Sequence, residues 1–221
     1  MARNFIPASF QWINLGDDTN LLPAHGMSCW CWINTDSVTG NKGLIRYGRG
    51  GVSGWAFFTS GDELQFVKNA VLAITITSIN LSTGVWLFVA AVETSSNVIF
   101  YKITADGTVI SNTISNTSSF TGTPTEGLIG VDMDSVGSKL NYYDGRMSYA
   151  GAVIQELTLA QLKTIMWSHN TSLGDVGGSW EIQGNEDPED DWAKANFTGA
   201  LVNNPLKDTS NPPVEHMENY L

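Results

Sequence analysis

Short runs rich in β-branched and aromatic residues recur along this chain, cut by Gly, Asn, Asp and Ser about every ten residues, and that rhythm constrains the fold most. Runs of this kind suit the strands of a sandwich or barrel. They cover residues 10–15, 27–34, 44–47, 55–59, 64–68, 71–79, 85–93, 98–104, 109–114, 127–131 and 146–155. Between them lie turn signals: Gly48-Arg-Gly-Gly51, Ser60-Gly-Asp62, Ala105-Asp-Gly107 and Asp144-Gly145. Asp106-Gly107, between two alternating runs, predicts a hairpin. The expectation is an all-β, two-sheet antiparallel β-sandwich.

One segment breaks the rhythm. Thr158-Leu-Ala-Gln161 has the form of a capping box, which predicts one short helix near residue 160. Leu159, Leu162, Ile165 and Met166 then recur at helical spacing, giving an apolar stripe that can pack on the outside of a sheet. The pattern ends near 168–170.

With 221 residues, 42% hydrophobic and 15% charged, the chain has enough apolar material for one large domain and too little charge for disorder throughout. Its net charge of −11 has the wrong sign for a phosphate backbone or an anionic membrane surface, so neither nucleic acid nor membrane is expected as a partner. The charge is uneven. Residues 171–221 hold 10 acids and 2 bases, and residues 1–170 hold 12 acids and 9 bases. The chain therefore divides into a domain at 1–170 and an acidic, Gly/Pro-containing segment at 171–221. Trp180, Ile182, Trp192, Phe197, Leu201 and Val202 are too apolar for a solvated tail, so that segment is expected to dock on the domain or on a partner.

The two cysteines, Cys29 and Cys31, share a strand face at a Cα separation of roughly 6.5–7 Å, which favours free thiols over a disulfide. The opening Met1-Ala-Arg-Asn-Phe-Ile-Pro-Ala8 has no apolar core of a signal peptide, so folding in a reducing cytosol is expected.

Four stretches in this order resemble the laminin-G-like, concanavalin A-like lectin–glucanase jelly roll. Phe10-Gln-Trp-Ile-Asn-Leu-Gly16 with Asp17-Asp18 is similar to its opening strand and turn. Met27-Ser-Cys-Trp-Cys-Trp-Ile-Asn34 is similar to the strand that carries a core tryptophan, here Trp32. Gly84-Val-Trp-Leu-Phe-Val-Ala-Ala-Val92 resembles a further core strand, and Tyr143-Asp-Gly-Arg-Met-Ser-Tyr149 with Leu157-Thr-Leu-Ala-Gln-Leu162 resembles the closing strand and helix. Trp180-Glu-Ile-Gln-Gly184, Asp187-Pro-Glu-Asp190, Gly199-Ala-Leu201 and Asn211-Pro-Pro-Val214 are similar to a segment that follows such jelly rolls in bacteriophage sequences. The resemblance implies a virion protein assembled in the host cytoplasm.

Some jelly-roll relatives are glycoside hydrolases, which need two carboxylates flanking the scissile bond. Their Glu-x-Asp-x-x-Glu strand signature is absent here, and Asp132-Met-Asp134 runs into the turn-like Ser135-Val-Gly137. His25, His169 and His216 are scattered, which suggests neither a Ser/His triad nor a zinc cluster. No enzymatic activity is expected. Calcium is the one cofactor the resemblance admits; where the family has an Asp this chain has Ser148, so a site would rest on Asp17, Asp18, Asp132 or Asp134. For sugar recognition, which needs aromatic faces and planar polar groups on one surface, the candidates are Arg46, Tyr47, Arg49, Trp55 and Tyr101. Trp32 and Trp86 are assigned to the core.

The first functional reading is a non-catalytic decoration or fibre-type virion protein. In it, Trp180, Trp192 and Phe197 dock on other virion proteins or on a second copy. The alternative is a carbohydrate-binding module for attachment to surface glycans. A glycoside hydrolase ranks third.

Overall fold

The computed structural model describes residues 3–16, 22–68, 72–75, 79–124, 126–167 and 180–181. In chain order the strands are β1 (Arg3–Phe5), β2 (Ile13–Gly16), β3 (Met27–Thr35), β4 (Asn41–Tyr47), β5 (Trp55–Ser60), β6 (Glu63–Lys68), β7 (Leu72–Thr75) and β8 (Leu87–Glu93). They continue with β9 (Asn97–Thr104), β10 (Val109–Ser115), β11 (Gly127–Ile129), β12 (Asp132–Met133), β13 (Lys139–Leu140), β14 (Gly145–Val153) and β15 (Trp180–Glu181). One α-helix, α1 (Leu159–Trp167), and a single 3₁₀ turn over Pro7–Ser9 complete the described elements.

The strands form two antiparallel sheets. The first has the order β1-β14-β3-β8-β9-β10, with β15 also pairing β14; the second has the order β2-β11-β4-β5-β6-β7. A small β12–β13 ladder stands apart from both. This is the sandwich that the alternating runs predict, and β9 and β10 make the expected hairpin, with Gly107 at φ +83°. Trp180 and Glu181 pair with Ala152 and Gly151, so the chain returns to the edge of β14.

Alternation explains the core. On β3, Cys29, Cys31 and Ile33 point between the sheets, where Leu87, Val89 and Ala91 of β8 meet them. From the second sheet come Ile45 and Tyr47, Trp55 and Phe57, Leu64 and Phe66. Trp55 stacks on Phe66 at 6.0 Å and 17°. The opposite face of β3 and β8 is buried too: Trp30, Trp32, Phe88, Ala90 and Val92 lie under Leu162, Ile165 and Met166 of α1. Both strands are therefore buried along their whole length and mostly apolar, whereas β6 and β9, half-covered, keep an alternating burial pattern. A bulge in β14 between Ser148 and Gly151, with Tyr149 at φ +49°, sends Tyr149 to the helix side and Ala150 to the core between the sheets.

The capping box forms as the sequence predicts. The Gln161 N–H donates to Thr158 Oγ1 at 3.2 Å and the Thr158 N–H to Gln161 Oε1 at 2.8 Å. Trp32 Nε1 donates to the Met166 carbonyl at 3.3 Å, tying the far end of the helix to β3. Trp86, by contrast, is half-buried, with the Arg146 guanidinium 5.7 Å from its ring, and so belongs to the margin of the core. Cys29 and Cys31 are free and fully buried, and burial pushes both thiols well above their ordinary pKa.

A charged pair crosses between the sheets. Lys68 closes β6 and Glu93 closes β8; Lys68 Nζ donates to Glu93 Oε1 at 2.6 Å and to the Ser118 carbonyl at 2.7 Å. Both side chains are 0% exposed. The Phe120 ring covers the ammonium, its centroid 5.2 Å from Nζ.

Candidate functional site

The sugar-binding candidates do not form one surface. Tyr47 is 1% exposed and Trp55 2%; both lie in the core between the sheets, 6.2 Å apart, and offer no face to a sugar. The physical reason is strand parity: neighbours on β4 point to opposite faces, so an outward Arg46 forces Tyr47 inward. Tyr101 is half-buried on β9 of the other sheet, packed beside the helix-covered cluster, and burial raises its phenol pKa.

Arg46 does face outward, but it is 6% exposed because the β12–β13 ladder folds over this face. Its Nη1 pairs with Asp132 Oδ1, and its Nε donates to the Gly48 carbonyl at 2.8 Å. Burial pushes the guanidinium pKa down from its ordinary value, with Asp132 opposing that shift. Asp132 also accepts from the Asn141 side-chain amide at 3.2 Å and from the Met133 N–H at 2.9 Å. Arg49 is half-buried beside Gly137.

The calcium candidates divide. Asp17 and Asp18 lie outside the described residues. Asp132 serves Arg46, and Asp134 makes a turn by accepting from the Ser138 N–H at 2.8 Å and the Val136 N–H at 3.0 Å, which holds its carboxyl below the usual range. Among the described residues no three His, Cys, Asp or Glu side chains converge as a metal would require. Of the docking candidates, Trp180 is described only as backbone on β15, and Trp192 and Phe197 lie outside the described residues.

The outward face of the second sheet carries a different constellation. Phe10 is 62% exposed and Trp12 38%, the two exposed aromatic side chains among those described. Both rings border Tyr142: Phe10 lies 5.2 Å away at 74°, and Trp12 6.2 Å away at 54°. Tyr142 rests in turn on Leu128, Val131 and Met133, an apolar patch on the outside of β11 and β12.

Local chemistry places each ring. Pro7 opens the 3₁₀ turn with its fixed φ, the Phe10 N–H closes that turn on the Pro7 carbonyl at 3.0 Å, and Phe10 takes the left-handed conformation at φ 51°. Gln11 Oε1 accepts from the Ile6 N–H at 3.0 Å. Tyr142 follows Asn141, at φ 53°, whose carbonyl accepts from the Gly43 N–H at 2.8 Å. Gly43 has no room for a side chain: a Cβ there would sit 2.2 Å from the Val131 carbonyl carbon.

Three aromatic rings beside the half-buried Asn141 amide supply the main component of a sugar-stacking surface, apolar faces for C–H groups, while Arg46 and Asp132 are spent on each other beneath the β12–β13 ladder. Taken as one strand, the 10–15 run conceals this surface. β2 starts only at Ile13, and a turn swings Phe10 out.

No family model and no curated protein sequence matches the chain. Solved structures do. A putative carbohydrate binding protein from Bacteroides ovatus aligns over 83% of this chain and 51% of its own, with TM-score 0.59 and 17% identity. The CBM40 of the Ruminococcus gnavus IT-sialidase, bound to α2,3-sialyllactose, aligns over 75% of this chain and 97% of its own, with TM-score 0.54 and 12% identity. The LG1-3 region of the laminin α2 chain aligns over 72% and 32%, with TM-score 0.52 and 8% identity. At these identities the likeness shows the fold alone, a jelly-roll β-sandwich.

Proposed function

We propose that the chain is a carbohydrate-binding module that holds a sugar on the platform of Phe10, Trp12 and Tyr142. The observation that carries the reading is the exposure of two aromatic rings gathered on a third, Tyr142, next to Asn141. A soluble fold seldom leaves large rings clustered in water unless something is to cover them. The jelly roll supports the same reading, since two of the similar structures are named as carbohydrate-binding. The rings would supply stacking, and the neighbouring Asn141 amide is the nearest polar group for a hydroxyl.

A glycan array followed by calorimetry on the best hit tests this. Trp12→Ala is expected to weaken binding about five- to tenfold, the effect of losing an aromatic contact worth about 1–1.4 kcal/mol, and to leave the melting temperature unchanged. Equal binding by Trp12→Ala, or no sugar bound by the wild type, overturns the assignment. Trp55→Ala is unsuitable as a probe because it opens a cavity in the core. The virion decoration or fibre role moves to second place: the residues that carry it, Trp180, Trp192 and Phe197, have no described side chains.

A further inference from the structure

The buried Lys68–Glu93 pair has a solvent-facing side. Glu93 Oε1 also meets His25 Nδ1 at 3.0 Å, and Oε2 accepts from the Gly26 N–H at 2.7 Å. An ionised carboxylate only accepts, so Nδ1 must carry a proton, and in the neutral ring Nε2 is then a bare lone pair. That nitrogen faces Ser119 Oγ at 3.4 Å. The His25 side chain is 27% exposed and Ser119 is exposed, so the hydroxyl stands where a ligand can reach it.

A hydroxyl against one imidazole nitrogen, with the other nitrogen held by a buried carboxylate, is the geometry that activates a serine. We propose that Ser119 is a nucleophile toward small carboxylic esters, with His25 as general base and Glu93 as the residue that positions the ring. Ser119 Oγ bonds to the ester carbonyl carbon as its proton passes to His25 Nε2. The acyl C–O bond then breaks, and the alcohol leaves with that proton. Water adds to the acyl-serine by the same route, releasing the acid and restoring the hydroxyl. One ester and one water give one acid and one alcohol, with no change of oxidation state.

Two features shape the site. Lys68 Nζ holds the Ser118 carbonyl, and the Ser118 N–H donates to Asn116 Oδ1 at 3.0 Å, so the loop carrying the serine is anchored on both sides of one residue. Lys68 also offsets part of the Glu93 charge that would stabilise an imidazolium, which favours slow acyl transfer over rapid turnover. His25 lies just before the start of β3, whereas the end of β3 pairs with Gly145, near Tyr142, so this site stands at the other end of the sandwich from the aromatic platform. It does not depend on the glycan reading.

The test treats the full chain with an alkyl fluorophosphonate, maps the adduct by peptide mass spectrometry, and follows p-nitrophenyl acetate hydrolysis in parallel. One adduct per chain is expected, on Ser119, with fluoride lost from phosphorus. Ser119→Ala, an exposed substitution, should abolish both signals without changing the melting curve. His25→Ala should slow labelling of Ser119 at least about 100-fold, the usual share of a general base, and added imidazole should restore part of the rate. The proposal fails if wild type takes no adduct at Ser119, if His25→Ala labels at the wild-type rate, or if Ser119→Ala hydrolyses the acetate equally well. Should His25→Ala unfold, the comparison of wild type with Ser119→Ala decides alone.

Discussion

Lys68 and Glu93 show how much one contact between sheets can matter. Each is 0% exposed, so each depends on the other and on a few hydrogen bonds for the solvation it has lost. Glu93→Gln leaves an ammonium buried against a neutral amide and is expected to cost about 3–5 kcal/mol, read from urea denaturation. The double variant Lys68→Met, Glu93→Leu should recover part of that loss, because apolar groups of similar volume remove the desolvation penalty with the charges while the Gly26 N–H and the Ser118 carbonyl lose their partners. A loss below about 1 kcal/mol in Glu93→Gln would mean that water reaches the pair. Neither partner was singled out in the sequence, since Lys68 ends one run and Glu93 another, and only the stacking of two sheets brings them together. Arg46 and Tyr47 teach a related lesson. They are chain neighbours, and a strand cannot show both to one surface.

At the scale of elements, strands of six residues or more were legible because alternation or continuous apolarity persists long enough to be seen. β1, β12 and β13 span two or three residues and carry no period of their own. They exist because β14 offers an edge and because the chain between β11 and β14 folds back over β4. The helix was legible from chemistry rather than period, through the Thr158 and Gln161 exchange. Thr158→Ala should lower stability by about 1 kcal/mol, measured by thermal or urea unfolding, with the β-sheet circular dichroism signal retained. A change of a few tenths would show that packing of Leu162 and Ile165 under the sheet holds α1 without its cap. The aromatic platform was not legible for a reason also local to one element: nothing in Phe10-Gln-Trp12 announces that the strand begins late.

For the whole molecule, the two faces of the sandwich are unequal. Helix α1 blankets the outside of the first sheet, while the outside of the second carries the β12–β13 ladder and, at its margin, the three rings. A ligand that binds only the folded state must raise the unfolding temperature by mass action. A sugar at 100 times its Kd adds about 2.7 kcal/mol, or roughly 5–10 °C for a chain of this size. A thermal-shift series with the sugar found on the array should show that rise in wild type and, for tenfold weaker binding, about half of it in Trp12→Ala at the same concentration. The two-sheet sandwich is legible in the spacing, because alternation repeats along most of the chain, and the jelly-roll likeness in the four motif stretches; the aromatic platform is not, because it depends on which short segments interrupt that alternation.

The 3₁₀ turn at Pro7 bears on timing as well as place. With φ fixed by the proline ring, the turn closed by the Phe10 N–H, and Tyr142 seated on an apolar patch, the rings take up their arrangement when the chain folds rather than when a sugar arrives. The ordering entropy of that backbone is thus already spent, and recognition starts from rings whose anchor points are in place.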